Sequence, residues 1–427
     1  MARRAAERSA FLIDHVIPVV PIRQWVLSLP LPLRYLMLYD HDLTLAVLKE
    51  FANSLMGFYQ DQAKQQGVEH PLAGMVSAIQ RFGGHLNSNI HFHSNILDGT
   101  FSLSEDGTLV FHEAPMPKQQ DITVLCSVVR MRVLELLKSR GLLGAEADLD
   151  PFADQEPLLA SISGASINST IATGQRAGKP VLRLGRISNA QRWATRKRPL
   201  GAHIDGFDLH ASTALGAEDR SGLESLLRYQ LRPPLSKVRL SRLDDGRIKL
   251  RLRTPWSDGT THLVLEPLEL IEKLIPLIPR PKTNLIVYHG ALASRAQDRE
   301  KIVAYGRPEP LSDIDLDLEP QLFGDEEDPD RVTRRYYTWS ELMLRVWGVD
   351  VLECPRCSGR LRFINNVKEL LVISAILASI GLNPPPPPRP QRRGPIQLPL
   401  FPRSVLKFNS PAASEHLASS VNCRAPP

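Results

Sequence analysis

Little in this sequence could staple the chain or carry it through a membrane. Its 427 residues include four cysteines, two of them in a single Cys-x-x-Cys, which excludes the paired framework of a small secreted protein and fits a reducing compartment. No leader-like run opens the sequence, and its most apolar stretch, Leu370 to Leu382, falls short of the roughly 20 residues a spanning helix needs. A soluble, cytoplasmic protein is therefore expected. No glycine-rich phosphate loop is present, which argues against a helicase-bearing initiator. Acid is missing over one long segment: between Glu156 and Asp205 there is no carboxylate, while Arg176, Lys179, Arg183, Arg186, Arg192, Arg196, Lys197 and Arg198 all lie inside, with one aromatic, Trp193. Either that segment follows a phosphate backbone and stacks a base, or it is a solvated loop. Across the whole chain 52 Lys/Arg exceed 46 Asp/Glu, giving net charge +6, a bias toward polyanionic partners.

What is present centres on Leu86 to Gly99, LNSNIHFHSNILDG. As a strand it sends alternate side chains to opposite faces. Asn87, Asn89, His91, His93 and Asn95 then share a polar face, and Leu86, Ile90, Phe92 and Ile96 a core face. Two imidazoles flanking one large apolar residue offer the paired nitrogens a divalent cation needs. The competing reading is a plain histidine pair on an edge strand. Asp98-Gly99 reads as the turn that closes the strand.

Around it the pattern is mixed. Arg23 to Leu29 predicts a strand bounded by Pro30 and Pro32, Asp42 to Gln66 a long helix, Met75 to Phe82 a strand, and Thr100–Leu103 with Thr108–His112 a hairpin. Asp121 to Arg140 predicts a second helix that buries Cys126. This is an α+β class with antiparallel strands, not a βαβ alternation.

Ser221 and Glu224 have the spacing of a capping box, and Pro233 after Arg232 should stop the helix they open. At 100° per residue Leu223, Leu226, Leu227 and Gln230 cluster, whereas Tyr229 falls on the side of Ser225 and Arg232. A phenol on the polar face between Arg228 and Arg232 suits a nucleophile needing electrostatic help; the alternative is an exposed tyrosine with no role. Next, Lys237 to Leu243 and Arg247 to Arg253 predict a hairpin in which Arg247, Lys249, Arg251 and Arg253 share one face and Ile248, Leu250 and Leu252 the other. Four basic residues in alternation read as a polyanion-facing stripe. Thr261–Leu265 and a short helix from Leu268 follow.

The nine carboxylates from Asp313 to Asp330 make an acidic linker, Thr338-Trp-Ser-Glu341 another capping box ending near Trp347, and Cys354-Pro-Arg-Cys357 a knuckle-like turn. Zinc needs four ligands, so Cys354 and Cys357 are half of a site or a structural remnant. The expected organisation is a catalytic domain over 1–235, a basic β-rich unit over 236–310, the acidic linker over 311–332, a helical segment with the Cys-x-x-Cys over 333–383, and a disordered Pro-rich tail over 384–427.

Taken in order, Ile79-Gln80-Arg81-Phe82-Gly83, His91-Phe92-His93, Asp205-Gly206-Phe207, His210-Ala211, Arg228-Tyr229, Arg232-Pro233-Pro234-Leu235 and Pro255-Trp256-Ser257-Asp258-Gly259-Thr260 resemble the rolling-circle insertion-sequence transposases. These are the two-tyrosine transposases of the insertion-sequence ninety-one group, which carry the His-hydrophobic-His (HUH) nuclease. The resemblance runs from about residue 5 to about residue 365 and implies a metal-dependent endonuclease and strand transferase acting on single-stranded DNA ends. It implies Mg²⁺ or Mn²⁺ on His91 and His93, with Gln80 the first candidate for a third ligand and His85 the second. It implies Tyr229 as the nucleophile that forms a 5′-phosphotyrosine, and Arg228, Arg232 and the basic hairpin as groups that hold the strand. Two features depart from the family pattern. The positions four away from Tyr229 are Ser225 and Pro233, so there is one tyrosine where the family has two, and the opening Met1-Ala-Arg-Arg matches the helix just after the family's N-terminal zinc module. Competing readings are a defective DNA-binding remnant and a replication initiator or relaxase.

Overall fold

A six-stranded sheet carries the residues singled out above. The strands, in chain order, are β1 (Ile22–Ser28), β2 (Gly74–Phe82), β3 (Ser88–Leu97), β4 (Gly99–Leu103), β5 (Leu109–Glu113), β6 (Leu182–Gly185), β7 (Gly201–Ile204), β8 (Phe207–Leu215), β9 (Leu240–Arg242), β10 (Ile248–Arg251), β11 (Thr260–Leu265) and β12 (Ile286–Gly290). The helices are α1 (Ala2–His15), α2 (Leu31–Tyr39), α3 (His41–Gln65), α4 (Gln119–Ser139), α5 (Pro151–Gln155), α6 (Pro157–Asn168), α7 (Arg220–Gln230), α8 (Pro267–Leu274), α9 (Arg299–Ala304), α10 (Trp339–Trp347) and α11 (Leu370–Ser379). This computed structural model describes residues 2–143, 150–185, 199–307, 337–362, 367 and 369–381. Residues 1–361 form one compact unit and 362–427 another, whose one described element is α11. The class is α+β, as the pattern predicts.

The large sheet runs β12-β2-β3-β1-β8-β7 with every neighbour antiparallel. Strand β3 is central, so both its faces are covered. On one face Phe92, Ile90 and Ile96 join Trp25, Leu27 and Ile79 beneath α3 and α4, all buried. Each large side chain so buried contributes about 1.5–3 kcal/mol. On the other face Ile22, Val76 and Leu97 meet Leu12 of α1 and Leu223 and Leu227 of α7. That second layer brings the helix carrying Tyr229 onto the face of the histidine pair.

A smaller sheet, β6-β11-β10-β9, has its own core of Leu250, Leu252, Leu263 and Leu265. The boundary expected at residue 235 is crossed twice. Strand β6, from the cationic segment, pairs with β11, and β12 returns to become the edge of the large sheet beside β2.

Several local expectations change. Pro30 and Pro32 do more than end β1: Pro30 precedes α2 and Pro32 sits in its first turn, where a missing N–H costs nothing. Leu86 lies before β3 in a left-handed conformation and is buried in the small sheet's cluster. Asp98-Gly99 is not a hairpin turn: β4 leaves β3 there to pair with β5, and Asp98 turns inward. Its carboxylate accepts from Arg23 Nε at 3.0 Å and Nη2 at 2.8 Å and from the Tyr59 hydroxyl at 2.8 Å, while Trp25 Nε1 donates to Tyr59 at 3.2 Å. Burial holds the Tyr59 phenol protonated far above its ordinary range, which keeps it a donor. Lys237–Arg239 is a short 3₁₀ turn rather than the start of a strand. Cys126 is buried, as expected. The acidic linker and the Pro-rich tail lie outside the described residues, as do Arg186, Arg192, Trp193, Arg196, Lys197 and Arg198.

Candidate active site

The histidine face of β3 is built by register. His91 lies opposite Gln80 of β2 and Ser28 of β1; Asn95 lies opposite Gln24 of β1. Side chains directly opposite on antiparallel strands share a face. His91 is therefore flanked by the Gln80 amide, whereas His93 lies opposite Ala78 and Val26.

Each imidazole is held by its Nδ1, and the two Nε2 atoms face each other at 3.1 Å. His91 Nδ1 lies 2.8 Å from the carbonyl oxygen of Asn89. A carbonyl only accepts, so His91 carries its proton on Nδ1 and keeps the Nε2 lone pair. His93 Nδ1 meets Gln24 Nε2 at 2.8 Å. The Gln24 amide donates there while His93 Nε2–H donates to His91; turned over, its oxygen would accept Nδ1–H and release the His93 Nε2 lone pair. Gln24 is invisible as a site residue in the sequence, because nothing there links it to a histidine 69 residues away.

Both histidines are neutral at ordinary pH. Burial lowers His91, with Arg34 and Arg232 adding to the effect. Burial, then the His91 ring and Arg232, lowers His93 to about 3. Two unprotonated, convergent imidazoles fit a divalent cation, whose ligands must carry lone pairs. Among the described residues no third His, Cys, Asp or Glu completes a cluster. Two nitrogens suit Mn²⁺ better than Mg²⁺, which prefers an all-oxygen shell.

Gln80 lies opposite His91, with its Nε2 donating to the Gln230 carbonyl at 2.7 Å. His85 is not. It packs edge-on against Trp256 and meets Ser169 at 3.1 Å, away from the pair. The polar Asn series also divides. Asn87 belongs with His85 in the lining of a small recess against Trp256, whereas Asn95 exchanges two amide hydrogen bonds with Gln230, at 2.8 and 3.0 Å.

Those Gln230 bonds dock α7 and so place its neighbour. Leu223, Leu227 and Gln230 are buried while Tyr229 is 51% exposed, as the helical wheel predicts. The start of the helix differs from expectation: Asp219 caps it by accepting from Gly222 N at 2.9 Å. Glu224 is released from the capping box and is buried against Arg345 of α10, Nε to Oε2 2.6 Å. Arg345 also reaches Asp14 of α1, at 2.9 Å through Nη2. One guanidinium therefore clamps α1, α7 and α10 together.

Arg232 links the two halves of the site. Its guanidinium lies 3.7 Å from the centre of the Tyr229 ring, and it is close enough to depress both histidines. Its Nε and Nη1 are buried without a hydrogen-bond partner. Unpaired guanidinium donors are suited to a phosphate. Arg228, by contrast, turns back along the helix to Ser225 at 3.2 Å. Tyr337 bonds to Asp14, and burial, with that carboxylate adding, raises its phenol far above the ordinary range.

The basic stripe is divided too. Arg247 is held by Asp245 at 2.7 Å beside the turn. Lys249, Arg251 and Arg253 pair with no carboxylate among the described residues, and Arg253 lies near both Arg232 and Tyr229. Arg239 lies beneath them, buried, and donates to the Arg251 and Gly84 carbonyls at 2.7 and 2.8 Å. The motif Pro255–Thr260 is structural: Arg183 stacks over Trp256 at 4.9 Å and pairs with Asp258 at 3.1 Å. Asp205-Gly206, both at positive φ, form the two-residue turn of the β7–β8 hairpin.

A family model, Y2_Tnp, described as "Putative transposase", matches residues 74–300, more than half of the chain. The match begins at β2 and ends at α9, and so takes in the histidine strand, α7 and the small sheet. No curated protein and no solved structure matches the chain.

Proposed function

The chain belongs to the Y2_Tnp transposase family, and from that premise we propose that it cuts and transfers single-stranded DNA through a covalent tyrosine intermediate, in the rolling-circle manner of HUH nucleases. The observation that carries this reading is Arg232, stacked on Tyr229, unpaired at Nε and Nη1, and within electrostatic reach of His91 and His93. In the reaction the Tyr229 oxygen bonds to phosphorus, the bond from phosphorus to the 3′-oxygen breaks, and the phenol proton ends in water while the 3′-oxygen takes one up. The products are a 5′-phosphotyrosine and a free 3′-hydroxyl. A divalent cation held by His91, His93 and Gln80 would polarise the scissile phosphate. Arg232 offsets charge growing on the phosphate, and Arg253 extends that cationic surface toward Lys249 and Arg251. The Gln230 amide, bound to Asn95, fixes the phase of α7 so that Tyr229 stays on the open side.

End-labelling tests the polarity of the bond. With single-stranded oligonucleotide and Mn²⁺, label at the DNA 3′ end should stay with the denatured protein and label at the 5′ end should leave it. Retention of the 5′ label, or no adduct with an oligonucleotide that an intact relative cuts, overturns the proposal.

Metal binding gives an independent expectation. Mn²⁺ titrated by calorimetry should find a site that His91→Ala and His93→Ala remove. Gln24→Leu should weaken the site roughly 10–100-fold, the usual cost of losing a group that orients a ligand. Equal affinity in wild type and His93→Ala rejects the assignment.

Strand binding should be salt-dependent. Replacing Lys249, Arg251 and Arg253 by Ser should lower affinity for single strands and flatten the log–log salt slope by about 2, at roughly 0.7 for each phosphate no longer neutralised. Arg247→Ser should do far less, because Asp245 already neutralises it. An unchanged slope in the triple variant makes the stripe a solvated face.

A further inference from the structure

We propose that Cys354 and Cys357 are half of a tetrahedral zinc site whose other half is the same pair in a second copy of this chain, so that one Zn²⁺ bridges two protomers. The segment is built as a metal knuckle. Asp350 accepts from Leu352 N at 2.9 Å and pairs with Arg360, and Glu353 bridges to Arg360 across a tight hairpin. Cys354 N donates to Gly359 O and Ser358 N donates to Cys354 O, both at 2.8 Å, with Ser358 in the left-handed conformation that closes the turn. The two thiols are brought together at the tip. Backbone N–H groups of Arg356 and Cys357 donate to the Cys354 sulfur, the arrangement of a metal-binding knuckle.

The pair faces outward: Cys357 is exposed and Cys354 half-buried. Two thiolates are soft ligands, and a structural Zn²⁺ takes four. Within the described residues nothing supplies the other two, since no cluster of three His, Cys, Asp or Glu exists and Cys126 is buried under the large sheet, while the fourth cysteine, Cys423, lies outside those residues. A second copy supplies them by a two-fold operation, the commonest symmetry of soluble oligomers. Trp347, Val349 and Leu361, which flank the knuckle in sequence, are each 47–54% exposed, and a copy seated across the zinc would cover them. The pairing also bears on the single tyrosine. A zinc-joined dimer brings two Tyr229 residues to one transaction, although the proposal stands on the knuckle and not on the nicking chemistry.

The full chain, purified with Zn²⁺ under reducing conditions, should contain one zinc per two chains and run as a dimer by light scattering. A chelator should split it to monomers. Cys354→Ser and Cys357→Ser should each be monomeric and zinc-free with an unchanged circular dichroism spectrum. Replacing zinc by Co²⁺ should give a thiolate-to-cobalt charge-transfer band at one cobalt per two chains. One zinc per monomeric chain overturns the proposal. So does a chain that binds no zinc, or a dimer that survives both chelation and Cys357→Ser.

Discussion

Tyr229→Phe should abolish the covalent protein–DNA adduct and lower nicking by on the order of a thousandfold or more, because in the proposed reaction the one atom removed is the attacking oxygen. The substitution isolates chemistry from structure. Phenylalanine keeps the ring on which Arg232 stacks at 3.7 Å, and loss of a hydroxyl from a half-exposed side chain should change stability by no more than about 0.5 kcal/mol. Affinity for the strand should therefore survive while the adduct disappears. Both would be read from one set of samples, by denaturing gel for the adduct and by anisotropy at several salt concentrations for binding. An adduct of undiminished yield would place the nucleophile elsewhere.

Asp98→Ala should cost about 3–5 kcal/mol of unfolding free energy, the usual penalty for leaving one partner of a buried ion pair uncompensated. Arg23 is 6% exposed and would keep only its bond to the Ala211 carbonyl, at 3.3 Å, while Tyr59 would lose the acceptor that holds its hydroxyl. The pair joins β1 to the end of β3, the strand that carries both histidines. Urea unfolding should show the loss as a lower midpoint at unchanged slope. The double variant Arg23→Met/Asp98→Leu should lose less than Asp98→Ala alone, since it removes both charges together. A shift below about 1 kcal/mol for Asp98→Ala would sink the claim that this pair secures the strand.

Asp98 also shows where the sequence is legible and where it is not. The alternation of His91, Phe92 and His93 fixes the faces of β3, and the wheel of α7 puts Tyr229 away from its leucines, because both depend only on local period. The capping box at Thr338 and Glu341 forms for the same reason, each backbone N–H meeting the other's side chain. Asp-Gly after a strand has a local meaning as well, a hairpin. It is overruled by Arg23, 75 residues earlier. Glu224 likewise abandons Ser221 for Arg345, 121 residues on, which leaves Asp219 to cap α7. Gln24 and Gln230 are silent in the sequence for a related reason. An amide has no period and no charge to betray its partner, and each of these acts on a residue from a distant strand.

The clamp made by Arg345 has a consequence for the order in which the protein is made. His91, His93 and Tyr229 are all synthesised more than a hundred residues before the guanidinium that ties Glu224 of α7 to Asp14 of α1. Strand β12, which closes the edge beside β2, also arrives after them. A chain still on the ribosome thus holds every reactive side chain before it holds the tie that steadies the tyrosine helix. Attack geometry is sensitive to displacements of about 1 Å, so on the proposed reading strand cleavage would wait on synthesis of α10.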